Sequence, residues 1–291
     1  MSRRPAERRI LVQETSTMYY EAGAGPPVLL LHGNVTSARD WWQTMEALAA
    51  TNRVLALALP GYGDTSPLGE IRPARLVSFA SAFLDELGLG RVIVVGHSLG
   101  GQLAAEFALA YPDRVERLVL ADSAGLGRVV NPLVIANAMI PKPIAELLIT
   151  MLLLPGGGTL RTLTSGLQLR QPWRVSLRLF REQVRLTRRR SFLHTSYEVV
   201  RVGTGLTGQR RPYNLTPRLT EIQAPTLVIW GLTDQIFPLW QGMLAARKLP
   251  RGQLAIIFGA GHLTYLDSYE EFIDVLGPFV RDGTVARTAN A

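Results

Sequence analysis

The sequence predicts an α/β protein, a mostly parallel sheet flanked by helices and interrupted by an inserted, mainly helical segment. Three observations carry this. Short apolar runs alternate with stretches of helical spacing on both sides of the middle of the chain. The runs are continuous in Val, Ile and Leu, as strands buried on both faces are. Charge is also divided unevenly. Between residues 124 and 220, fourteen Arg and one Lys face three Glu, so that third carries +12 and the remainder −4 of the net +8. With 291 residues, 47% hydrophobic and 19% charged, the chain suffices for one large domain carrying an insertion. The expected division is a core of residues 1–123 and 221–291 around an insertion at 124–220.

Taken in order, "PVLLLHG" (27–33), "RVLALALPG" (53–61), "RVIVVGHS" (91–98) and "VERLVLADS" (115–123) read as strands, with helices at 75–88 and 99–111. After the basic segment, "PTLVIWG" (225–231) and "GQLAIIFGAG" (252–261) resume the strand pattern, followed by helices at 240–248 and 268–281. In the basic segment, Trp173, Leu177, Phe180 and Val184 share one helix face. Arg170, Arg174, Arg178, Arg181 and Arg185 occupy the neighbouring flank. That spacing predicts an apolar seam beside a solvated basic flank; the alternative is a flank available to an anionic substrate or membrane surface.

Composition excludes several classes. There is no cysteine, hence no disulfide and no thiolate metal site. No His, Asp and Glu cluster has metal-ligand spacing, so neither a metal nor another cofactor is expected. The basic start "MSRRPAERRILVQETST" lacks the apolar stretch of a signal peptide. The most lipophilic segment is broken by Pro141-Lys142-Pro143 and contains Glu146, short of the roughly 18–20 apolar residues of a spanning helix. A soluble, cytoplasmic protein is the expectation. The arginines come without an aromatic platform or a nucleic-acid motif, so no nucleic-acid partner is expected. Peripheral contact with a membrane ranks low.

The chemistry sits at strand ends, where loops of a parallel sheet gather around ligands. Gly96-His97-Ser98-Leu99-Gly100 matches G-x-S-x-G, follows four apolar residues and opens a helical pattern. That is the context in which such a serine is a nucleophile and not a helix cap. A serine hydroxyl needs a base. Of four histidines, His262 follows the last strand, within reach of Ser98 over the sheet. The imidazole needs a carboxylate to fix its tautomer. Asp234, after "LVIWG", suits that role, and Asp122, ending the strand before it, is its rival. The amide of Leu99, at a helix start, and the amide of Asn34, after "LLLHG", are the expected oxyanion donors.

Together "LLLHGN", "ALPGYGDTS", "VVGHSLGG", "APTLVIWGLTDQIFP" and "GAGHLTYLDSYEEF" resemble the α/β-hydrolase fold family, in order and spacing, over about two thirds of the chain. The resemblance implies that 124–220 is a cap roofing the substrate pocket. It is close to the serine esterases, lactonases and carbon–carbon bond hydrolases of the family. Haloalkane dehalogenases and epoxide hydrolases need an aspartate where Ser98 stands, and epoxide hydrolases commonly a proline where Val35 stands. The implied activity is hydrolysis of a carboxylic ester or lactone on a small molecule with an apolar part, without a cofactor. The alternatives are cleavage of a carbon–carbon bond beside a ketone, or a low-turnover receptor of the same fold. Trp41, Trp42, Phe237, Trp240 and Tyr265 lie in or near the active-site loops and are candidates for substrate contact.

Overall fold

A computed structural model describes residues 4–285 apart from 70, 167–168 and 175. Residues 1–3 and 286–291, at the ends of the expected core, lie outside the described residues. The chain begins with β1 (Ala6–Val12), β2 (Thr15–Ala22) and β3 (Pro27–Leu31), then α1 (Trp42–Leu48), β4 (Arg53–Leu57) and α2 (Pro73–Glu86). It continues through β5 (Val92–His97), α3 (Leu99–Ala110) and β6 (Val115–Ala121). Between β6 and the next sheet strand lie α4 (Pro132–Ala138), α5 (Lys142–Leu152), α6 (Gly157–Gly166), α7 (Leu177–Thr187) and α8 (Arg190–Gly203). A two-residue ladder of β7 (Thr204–Gly205) and β8 (Gly208–Gln209) closes that segment. The sheet resumes with β9 (Thr226–Gly231), α9 (Leu239–Lys248), β10 (Gly252–Ile257), α10 (Thr264–Asp267) and α11 (Tyr269–Asp282).

The eight-stranded sheet has the order β1-β2-β4-β3-β5-β6-β9-β10, parallel from β4 to β10. Its central strands are buried on both faces because successive side chains enter different cores. Leu29, Leu31, Val92 and Val94 pack with Phe79, Phe83, Leu103 and Phe107 of α2 and α3. Val28, Leu30, Ile93 and Val95 pack with Trp41, Met45, Phe272 and Phe279 on the other side. The period of two thus divides one apolar run between two layers. From β3 the chain moves outward to β4 and then crosses back to β5 on the opposite flank. The loops after β3 and β5 therefore part at a topological switch point, where ligands bind.

Two features depart from the sequence pattern. The antiparallel hairpin β1–β2 extends the sheet at its edge, where the sequence announces no strand. Its turn places Gln13 and Glu14 at φ of +45° and +64°. That is the backbone of a two-residue hairpin turn without the Asn-Gly pair that usually reveals one. In the second, the helix expected over 173–184 is two pieces. Residues 172–174 form a 3-10 turn, and Ser176 caps α7 by accepting the Leu179 N–H at 3.3 Å.

The expected seam is only partly buried: Phe180 and Val184 are half-buried, but its first half is not. Trp173 and Leu177 are 76% and 73% exposed, while α7 buries Glu182, Leu186 and Thr187. The arginine flank faces the sheet domain because it finds partners there. Arg185, held at 2.6 Å by Glu182 of its own helix, reaches Asp64 at 3.4 Å, and Arg189 pairs with Asp64 at 2.5 Å. Arg178 lies over the Trp42 ring at 4.3 Å, and Arg174 meets Glu270 at 3.4 Å. Part of the flank read as solvated is an attachment seam.

Candidate active site

Ser98 links β5 to α3 at φ +52°, a left-handed conformation that costs a residue with a Cβ about 1–2 kcal/mol. The turn closes only because its neighbours lack side chains. A Cβ on Gly96 would stand 2.1 Å from the Gly100 carbonyl oxygen, and one on Gly100 2.1 Å from the Leu31 carbonyl oxygen. Ser98 makes no side-chain capping bond to α3. Its Oγ lies instead 3.0 Å from His262 Nε2. That excludes the capping reading.

His262 follows β10 and is buried. Its Nδ1 lies 3.0 Å from Asp234 Oδ2, and Asp234 is held in turn by the Ile236 and Phe237 N–H groups on its Oδ1 at 2.7 and 3.1 Å. Both carboxylate oxygens thus accept, so Nδ1 carries the proton and Nε2 is left to accept from the serine. Burial works against an imidazolium here, but the charge and hydrogen bond of Asp234 outweigh it, with help from Asp122 and Asp267. The His262 pKa is raised above 6.5.

Asp122 takes no bond from the imidazole. It is fully buried at φ +44° and accepts from the Gly231 N–H at 2.8 Å and the Thr264 hydroxyl at 2.7 Å. Burial, and then the Asp234 charge, push its carboxyl well above the usual range. Its bonds tie β6 to β9 and to α10, beneath the histidine loop.

The β3 loop lies level with the serine, since Leu31 pairs with Gly96. A Cβ on Gly33 would stand 3.1 Å from Ser98 Cβ and 2.8 Å from His97 Nδ1. The Gly33–Asn34 peptide is fixed by its carbonyl. Thr36 Oγ1 donates to Gly33 O at 2.8 Å, and so does His32 Nδ1 at 2.8 Å, because His32 Nε2 accepts the Leu59 N–H. In a trans peptide the N–H points opposite to its carbonyl, so these bonds orient the Asn34 amide. Val35 follows at φ +54°, an expensive conformation for a β-branched residue. Leu99 N–H opens α3 and has no acceptor within its own helix. Asn34, Val35, Ser98, Leu99 and His262 all line one cavity of about 360 Å³.

Residues 26–269 match the model of the alpha/beta hydrolase fold. The chain belongs to the α/β-hydrolase fold family. It is 31% identical over 271 residues to an uncharacterised protein of Mycobacterium tuberculosis, covering 89% of this chain and 76% of that one. It is 28% identical over 280 residues to 2-hydroxy-6-oxo-6-phenylhexa-2,4-dienoate hydrolase of Comamonas testosteroni, covering 90% of each. Among solved structures, a thermophilic esterase from Thermogutta terrifontis shares the fold at a TM-score of 0.76 and 23% identity, covering 95% of this chain and 98% of that one.

This α/β-hydrolase places only one of the five aromatic candidates in the cavity, Phe237. Trp41 and Tyr265 are buried and stacked on each other at 4.3 Å, in the core beside Phe272. Trp42 donates to Glu46 and packs against Tyr20 and Arg178. Trp240 is half-exposed on α9. Sequence proximity to a loop does not give direction, and period alone leaves each ring free to face the core. The cavity walls come instead from aliphatic residues such as Ile71, Leu76, Val130, Val134 and Ile236. Arg161 of α6 also lines it, its guanidinium lowered in pKa by burial.

A further carboxylate escapes the sequence reading. Asp267, in "YLDSYEEF", is buried and accepts the backbone N–H groups of Gly261, Arg170 and Gln171 at 2.8, 2.9 and 2.9 Å. It fastens the chain before α7 to the loop that carries His262. An aspartate immediately before a helix-forming "SYEEF" looks like an ordinary cap, which hides the role.

Proposed function

We propose that the protein is a serine hydrolase that cleaves a carboxylic ester or lactone through an acyl-enzyme on Ser98. The observation that carries the reading is the pair of 3.0 Å contacts from Ser98 Oγ through His262 to Asp234. His262 Nε2 takes the hydroxyl proton as Oγ forms its bond to the substrate carbonyl carbon. The carbonyl oxygen gains charge between the Asn34 and Leu99 amides. The imidazolium returns its proton to the departing alkoxide, and the acyl group stays on Oγ. Water, activated by the same nitrogen, then releases the acid and restores Ser98. Helices α4 to α8 act as the cap over this chemistry, and the aliphatic cavity suits an apolar acyl or alcohol group.

A second reading is hydrolysis of a carbon–carbon bond beside a ketone. It is favoured by the 28% identity to the dienoate hydrolase and by the Arg161 guanidinium in the cavity wall, where burial lowers its pKa. A panel of p-nitrophenyl esters of increasing acyl length, run beside a 2-hydroxy-6-oxo-dienoate, tests both. The ester reading expects Ser98-dependent turnover with kcat/KM rising from acetate to longer acyl chains. A dienoate cleaved far faster than every ester would move the assignment to the carbon–carbon bond.

A further inference from the structure

Helix α5 is apolar on two faces. Ala145 and Ile149 are buried, yet Ile144, Leu147, Leu148 and Met151 are exposed, Leu147 by 60%. These four recur at i, i+3, i+4 and i+7 and form one outward stripe. On α6, which contacts α5, Leu160 and Leu163 are exposed a turn apart. Leu133 of α4 is 78% exposed and at the same time lines the cavity that ends at Ser98. Single exposed leucines are ordinary. A stripe of helical spacing that continues onto a second helix, with a third at the cavity mouth, is a binding face.

We propose that helices α4 to α6 dock this protein on an anionic lipid surface, with the mouth of the cavity turned toward the bilayer. Two observations select a lipid surface. The first is charge. The segment from 124 to 220 carries +12, and although several of its arginines attach it to the sheet domain, Arg181 and Arg188 are exposed on α7. Helix α7 packs on α6, and the Arg188 stem lies against its start at Gly158. Leucine 177, exposed, precedes Arg181 by one turn on the same flank. Aliphatic side chains bordered by arginines match an acyl layer beneath anionic headgroups. The second is continuity. Leu133 belongs both to the outer surface and to the cavity wall, so an apolar molecule passes from one to the other without crossing water.

The geometry is that of a helix lying in the interface. Helix α5 has 11 residues, about 16 Å, against about 30 Å of hydrocarbon. Helices α4 and α5 meet at 104°, and among the described residues no single helix is long and apolar enough to cross a membrane. The sequence ranks peripheral membrane contact low. Docking itself does not depend on Ser98 as nucleophile; only the delivery of a lipid-phase ester to the cavity rests on that reading.

The test is co-sedimentation of the full chain with vesicles of phosphatidylcholine alone and of phosphatidylcholine mixed with phosphatidylglycerol. The wild type is expected to sediment with the mixed vesicles, less with the neutral ones, and less with added salt. A Leu147→Glu, Met151→Glu double variant should bind about tenfold less or weaker, from the loss of two buried aliphatic groups. Both residues are exposed, so its circular dichroism and its turnover of a soluble short-chain ester should match wild type. Arg181→Gln with Arg188→Gln should erase the preference for phosphatidylglycerol. Ser98→Ala should bind vesicles undiminished while losing esterase activity, which separates docking from catalysis. Wild type that stays in the supernatant overturns the proposal. So does a dimer in solution that the Leu147→Glu, Met151→Glu variant dissociates, with no vesicle binding, because the face would then belong to a second copy of the chain.

Discussion

Two aspartates stand beneath one histidine, and their hydrogen bonds assign them different work. In Asp234→Asn, Oδ1 still accepts from Ile236 and Phe237, which leaves the new amide NH2 facing His262 Nδ1. That forces the proton onto Nε2, where it blocks transfer from Ser98. The expected loss in kcat is about 10⁴-fold. Asp122→Asn should cost about tenfold or less, because Asp122 bonds Gly231 and Thr264 and not the imidazole. Steady-state rates of the two variants on one ester decide, and the opposite ranking would make Asp122 the acid. The pH profile follows from the same contacts. The proposed base is neutral His262, and its pKa is raised. The kcat/KM of an ester whose chemistry limits the rate should therefore rise with pH through a midpoint above the ordinary histidine value of 6.5. The residual activity of Asp234→Asn should show that limb displaced toward lower pH. A wild-type midpoint at or below the ordinary value would contradict the hydrogen-bonded pair.

At the scale of elements, two buried carboxylates join the helical segment to the sheet domain. Asp267→Ala removes the acceptor of three backbone N–H groups. The loss should be about 3 kcal/mol or more in urea unfolding, with a loosened His262 loop. Asp40 accepts from Ser37 and from Gln183 of α7, and burial pushes its pKa up from 3.8 to about 7. A carboxyl raised on folding contributes stability that is complete below its unfolded pKa and lost as pH rises through about 7. The stability of Asp40→Asn relative to wild type should therefore increase between about pH 5 and about pH 8. The central strands and the helices α2, α3, α9 and α11 are legible in sequence, because uninterrupted Val, Ile and Leu runs and 3.6-residue spacing leave little choice. Ser98, His262 and Asp234 are legible because each ends a strand on the same edge of the sheet. The hairpin β1–β2 is not, since its turn residues are Gln and Glu. Nor is the direction of α7, because amphipathic spacing tells two faces apart but not which one finds partners. Asp64, Arg39 and Asp40 supply those partners, and they are far away in sequence.

At the scale of the molecule, a mostly parallel sheet sets Ser98, Asp234 and His262 after the ends of its strands, and a basic helical segment follows β6. Part of its positive charge serves attachment. Arg185 and Arg189 meet Asp64, and Arg178 meets Trp42. Exposed on the same segment are the aliphatic stripe of α5 and, at α7, Arg181 and Arg188. The central claim is that this arrangement makes Ser98 a nucleophile. It is tested most directly by reacting the protein with an active-site-directed fluorophosphonate and mapping the adduct by mass spectrometry. One adduct on the peptide bearing Ser98 is expected, absent in Ser98→Ala and strongly slowed in His262→Ala. Labelling that persists in Ser98→Ala, or falls on another residue, would contradict it.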